Sequence, residues 1–231
     1  MVQMTKSKKT LDHEADPLDR IGWLSQCSGA LRAWFVDNGR WLEVPAGASL
    51  FHDGDDTDGM YGIGVGAVDL EFAPEGMESL VTFRMPPGGW LGHGSLLPDM
   101  PRPFNLVAAV DSEIYYVPSK ALRRFVKENP EFWPEFYSLT IQQILALMTF
   151  VGELQSLPPE ARLARQLLRL SSIGTAIEVR QNDLTATLGI SKSSVRRALT
   201  SLVDSGAILT RYNRIDVVDR RRLEIASLQK N

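Results

Sequence analysis

Apolar positions along the 231-residue chain change their period twice. From Ile21 to Asn38, Ile21, Leu24, Leu31, Trp34 and Phe35 recur at helical intervals, and Asn38-Gly39 closes the segment. From Trp41 to Val117 the runs are short: Trp41–Val44, Ser49–His52, Met60–Val65, Ala67–Phe72, Ser79–Phe83, Asn105–Ala109 and Glu113–Val117, each bounded by Gly, Pro or Asp. Strands at such spacing predict a small antiparallel barrel or roll. Helical spacing returns at Lys120–Lys127, with Ser119 as the expected N-cap. From Pro134 to Leu157, Tyr137, Ile141, Ile144, Met148, Val151 and Gln155 are spaced 4, 3, 4, 3, 4. This is a coiled-coil seam, read as a dimerisation helix. A single helix laid across its own domain is the other reading of so short a seam. Pro158-Pro159 ends it and starts another helix, Ala161–Leu170.

The stretch Gln181–Leu199, QNDLTATLGISKSSVRRAL, predicts helix, tight turn, helix. Leu184 and Leu188 face a core, Gly189 takes the turn, Ile190 packs beneath it, and Ser191 caps a second helix continued inward by Val195 and Leu199. The outer face of that helix carries Lys192, Ser193, Ser194, Arg196 and Arg197. Cations and small hydroxyls without a bulky apolar residue suit a helix entering the major groove, where Arg pairs with guanine and Ser or Lys holds phosphates. Gly206 ends the helix, and Ala207–Thr210 and Arg214–Val218 flank Arg211-Tyr212-Asn213 as a hairpin wing. Arg180 and Arg211 complete the expected DNA-binding set.

Charge sharpens this division. Residues 158–231 hold 13 Lys and Arg against 7 Asp and Glu, a net +6, whereas residues 1–157 hold 12 against 21, a net −9. A basic C-terminal module beside an acidic one points to a polyanionic partner. The lone Cys27 excludes an internal disulfide and any four-cysteine metal or iron–sulfur site made by this chain alone. No signal-like N-terminus and no apolar run near the ~20 residues of a membrane span are present, so a cytoplasmic, reducing setting and no membrane contact are expected.

The order of parts resembles the CRP/FNR family of bacterial transcription regulators, over roughly Trp41 to the end. Gly47-Ala-Ser-Leu-Phe51, Asp53-Gly54-Asp55, Met60-Tyr61 and Gly66 match the family's glycine-punctuated strands, and Leu91-Gly92, Arg102 and Ala109–Val117 its ligand cassette. The resemblance implies an α+β fold: an antiparallel β-roll like cyclic-nucleotide-binding domains, a long dimerisation helix and a C-terminal winged helix-turn-helix. The expected division is a polar tail at 1–20, the roll at 21–118, the connector and dimer helix at 119–157 and the DNA-binding domain at 158–231. It further implies a homodimer on a palindromic operator in double-stranded DNA, with RNA polymerase as a further partner.

The effector pocket would involve Gly92, His93, Arg102 and Met148. Where cyclic-AMP-binding members have Glu after the cassette glycine and Ser or Thr after the arginine, this chain has His93 and Pro103. Pro103 offers neither hydroxyl nor N–H to a phosphate. A register anchored on Arg162-Leu-Ala puts Leu147 and Met148 where nucleotide binders offer hydroxyls to adenine. The effector is therefore unknown and not expected to be cyclic AMP. No cofactor is expected; His13, His52 and His93 leave haem or another small effector open. The recognition helix departs too: Lys192-Ser193 stands where the family commonly has Arg-Glu, while Arg197 matches its arginine, so the operator should differ from the familiar consensus.

Enzyme readings fail on their surroundings. Gly62-x-Gly64-x-Gly66 is followed by a strand pattern rather than a helix, and Gly92-His-Gly-Ser95 lacks the second glycine of a nucleophile elbow. The acidic run Asp53, Asp55, Asp56, Asp58 lacks EF-hand spacing and reads as a solvated turn. The tryptophans read as core or domain-interface residues. The alternative to DNA reading is a cyclic-nucleotide-fold sensor whose winged helix contacts a protein.

Overall fold

A computed structural model describes residues 5–6, 17–73, 75–76, 79–171, 176–179 and 181–229. Arg180, His13 and most of the polar tail lie outside the described residues. The chain divides into two compact units, residues 1–144 and 145–231. No described helix is long and apolar enough to cross a membrane.

The first unit opens with strand β1 (Thr5–Lys6) and helix α1 (Pro17–Arg20), a short 3-10 turn at Leu24–Gln26 and α2 (Gly29–Asn38). The single helix expected over Ile21–Asn38 is thus broken. Gly22 takes a positive φ of 80°, and the Ser28 hydroxyl starts α2 afresh by accepting from the Leu31 N–H at 3.3 Å. Next come β2 (Arg40–Val44), β3 (Ser49–Phe51), β4 (Gly59–Val65), β5 (Val68–Phe72), β6 (Leu80–Met85), β7 (Trp90–Leu91), β8 (Asn105–Ala108) and β9 (Ser112–Pro118). They form antiparallel sheets ordered β1-β2-β9-β4-β7 and β3-β8-β5-β6. Leu42, Ile63 and Ile114 of one sheet share a buried core with Phe51, Val68 and Leu106 of the other. That shared core makes the two sheets a roll.

The glycine-punctuated β4 is a packing solution. A Cβ on Gly62 would lie 2.7 Å from the Trp90 ring and one on Gly64 2.4 Å from that of Trp41, so both indoles lie directly on its backbone. A second core joins Trp23, Phe35, Trp90 and Tyr115 to Leu122 and Phe125 of α3 (Ser119–Glu128) and Phe136 and Leu139 of α4 (Trp133–Ser156). Trp133 is 41% exposed and stands outside this core. Ser119 does not cap α3 from outside: its N–H goes to the Asp58 carbonyl at 2.7 Å and Pro118 holds the cap position.

Helix α4 is continuous across the boundary between the units. Tyr137, Ile141, Ile144, Met148 and Val151 are all exposed, at 37–65%, and Gln155 is exposed with them. The second unit continues with α5 (Pro159–Leu170), β10 (Ala176–Glu178), α6 (Gln181–Leu188), α7 (Lys192–Asp204), β11 (Ile208–Arg211), β12 (Arg214–Val217) and α8 (Arg220–Ala226). The strands form one sheet, ordered β10-β12-β11. Leu163 and Leu167 of α5, Leu184 and Leu188 of α6, Val195, Leu199 and Leu202 of α7, Ile208, Ile215 and Leu223 make its core.

Candidate nucleic-acid interface

Helix α7 is divided by its own periodicity. Val195, Ala198, Leu199 and Leu202, spaced three and four apart, are buried. Lys192, Ser193, Arg196, Arg197 and Thr200 point to solvent, and Ser194 is half-buried. Gly189, at φ 59°, reverses the chain between α6 and α7, and the Ser191 hydroxyl accepts from the Ser194 N–H at 3.2 Å to cap α7. Ser191 Oγ also lies 2.9 Å from Ser193 Oγ and 3.0 Å from Ser194 Oγ. Hydroxyls therefore crowd the end of α7 where free N–H groups and the helix dipole favour a phosphate. Arg197 donates from Nη2 to Ser194 Oγ at 3.4 Å, while Lys192 and Arg196 extend from the same exposed face.

The wing follows directly. Arg211 pairs with Arg214 across β11 and β12, leaving Tyr212 and Asn213 as a two-residue tip; Asn213 has φ 52° and Tyr212 is 92% exposed. Two cations opposite each other repel, and one carboxylate relieves this. Asp216 lies 3.2 Å from Arg211 Nε and 2.7 Å from Arg214 Nε.

In the roll, Gly92 adopts φ 86° ahead of a short 3-10 turn at His93–Leu96. Arg102 is 2% exposed; its Nη2 donates to Asp58 Oδ1 at 2.5 Å and to the Gly59 carbonyl at 2.7 Å. Its guanidinium lies 4.2 Å above the Phe51 ring. The Tyr61 hydroxyl donates to the other Asp58 oxygen at 2.5 Å, and Tyr116 donates to the Asp58 carbonyl at 2.9 Å. Asp58 is thus engaged rather than merely solvated, unlike its expected place in an acidic turn. Arg102 Nε, His93 Nδ1 and Ser95 Oγ are buried without a hydrogen-bond partner, and burial holds the His93 pKa below its ordinary value. Met148 lies on α4, exposed, in the second unit. No group of three or more His, Cys, Asp or Glu residues among the described residues is arranged to hold a metal.

Comparison with known proteins adds independent observations. The cyclic nucleotide-binding domain model matches residues 41–129 and the Crp-like helix-turn-helix domain model matches residues 161–225. The cAMP-activated global transcriptional regulator CRP of Salmonella typhimurium is 22% identical over 184 residues, spanning 76% of this chain and 88% of that protein. The HTH-type transcriptional regulator Cmr of Mycobacterium tuberculosis is 25% identical over 185 residues, spanning 78% of this chain and 73% of Cmr. This chain belongs to the CRP/FNR family of transcription regulators. A candidate cyclic nucleotide binding protein from Ruegeria pomeroyi DSS-3 shares the fold, with a TM-score of 0.76 at 19% identity over 95% of this chain and 100% of its own.

As a CRP/FNR regulator the protein is a DNA-binding regulator carrying a helix-turn-helix. Within that frame, three residues escaped the sequence reading. Thr200 stands one turn beyond Arg196 on the exposed face, a spacing of four that was there to be read. Asp216 and Asp58 were not legible, because the strand register and the loop packing that bring them to arginines are tertiary.

Proposed function

We propose that this CRP/FNR chain acts as a homodimer that reads a palindromic operator, with α7 of each subunit in a major groove and half-sites about one helical turn, roughly 34 Å, apart. The observation that carries the reading is the face of α7. Lys192, Ser193, Arg196 and Arg197 are exposed on a helix whose other side is core, so these side chains are free to meet a duplex. Ser191 and Ser194 at the capped end and Arg211 on the wing complete the interface, and Arg180, outside the described residues, is kept as a candidate on its sequence alone. The unpartnered apolar stripe of α4, from Tyr137 to Val151, supports pairing of two copies, because such a surface is costly to leave in water. The setting is cytoplasmic, and RNA polymerase is the expected partner on the promoter.

The effector is not cyclic AMP. The relatives' name describes their own activation. Here Pro103 removes two donors, His93 replaces the ribose-binding carboxylate, and Arg102 already serves Asp58. Gly92, His93 and Arg102 of the first unit remain the effector candidates for an unidentified ligand, and Met148, a candidate from the sequence, belongs to the second unit.

Selection from random duplexes, followed by sequencing, tests the reading. An enriched palindrome with guanine at the Arg197 position is expected; no enrichment, with capture of a protein partner instead, overturns it. Cyclic AMP should leave the melting temperature unchanged, and a saturable shift at micromolar nucleotide overturns the pocket assignment.

A further inference from the structure

Between Leu145 and Ser156 the end of α4 has one buried residue, and it is a carboxylate. Glu153 is 6% exposed. Arg165 and Arg169, four residues apart on one face of α5, converge on it. Arg165 Nη1 lies 3.3 Å from Oε1, and Arg169 Nη1 donates to Oε1 and Oε2 at 3.0 and 2.9 Å. Arg165 donates from Nε to the Ser227 carbonyl at the end of α8, and Arg169 donates to Gln166 Oε1 from Nε and Nη2 at 3.2 and 2.9 Å. One carboxylate therefore fastens three helices. The contrast with the rest of this helix end is chemical: Val151 and Leu154 remain 44% and 36% exposed, and only Leu157, just beyond, is buried with Glu153.

Apolar contact tolerates sliding and rotation, whereas a charge-assisted fork has direction. A buried carboxylate deprived of its arginines is also costly to leave unpaired. We infer that Glu153 is a positioning residue: it fixes the rotation of α5, and with it the α7 reader, about the end of α4, and so sets the operator spacing the protein accepts. The inference rests on the proposed pairing of α4 across a dimer.

The test uses the full chain and the operator selected by the wild-type protein, with its central spacer shortened or lengthened by one and two base pairs. E153Q keeps the side chain's shape and removes its charge. The expected result is a folded dimer by sedimentation that binds a single half-site as the wild type does, yet whose spacing preference is flattened by roughly 2- to 30-fold, the range that coupling residues reach. R169Q should act in the same direction, and the swap E153R/R169E should restore part of the preference. An E153Q dimer with unchanged spacing preference overturns the inference, as does an equal loss on every duplex including the half-site. A wild-type chain that sediments as a single copy overturns the dimeric reading, and the inference with it.

Discussion

Arg197 is held by Ser194: a hydrogen bond of 3.4 Å across one turn of α7 ties the guanidinium to a hydroxyl at the helix start. An arginine restrained this way loses less rotamer freedom when it pairs with a base. Arg197→Ala should cost about 1–3 kcal/mol and relax base preference at one operator position. Ser194→Ala should weaken the same preference less. Titrations against single-base operator variants check both, and equal losses across all variants would reassign Arg197 to the backbone.

Lys192 and Arg196 extend from the same exposed face of α7, and neither has an ion-pair partner among the described residues. If they contact phosphates, replacing either with alanine should lower affinity for every sequence alike and make the slope of log affinity against log salt shallower by about 1. Binding measured at several salt concentrations decides between phosphate and base contact.

Arg102 is nearly inaccessible, while its partner Asp58 keeps 48% of its side-chain surface in water. Arg102→Ala should therefore destabilise the roll by about 1–3 kcal/mol, below the cost of breaking a fully buried pair, because the abandoned carboxylate can hydrate. Loss of packing over Phe51 adds to the effect. Denaturant unfolding compared with Arg124→Ala, whose ion pair with Glu128 is exposed, is the measurement.

Cys27 should be chemically quiet. Burial first, then the neighbouring Glu135 carboxylate, push its thiol up to about 12. Near pH 8 a disulfide reagent should react with the native protein at least about a hundredfold more slowly than with the unfolded chain, since only the thiolate attacks. Comparable rates would show an open, reactive sulfur.

The sequence reading went furthest where period and chemistry coincide. Leu184, Leu188, Val195 and Leu199 announced the two helices α6 and α7 and are all buried, and the strands from Trp41 to Val117 fall within a residue or two of their expected places. Two-residue β7 was missed because Trp90-Leu91 is too short to show a period, and β10 because only pairing with β12 makes it a strand. The break before α2 was also hidden, although Gly22 and Ser28 carried the signals. The partnerships of Asp58, Glu153 and Asp216 join residues that no local pattern relates.

The shared carboxylate of the wing has a consequence for fidelity. With Asp216 paired through Nε to both Arg211 and Arg214, a hairpin tip docking on DNA as proposed would carry one net positive charge instead of two. An Asp216→Asn protein would lose that restraint. It would cling to genomic DNA at large and spend longer on the wrong sites, trading discrimination for adhesion.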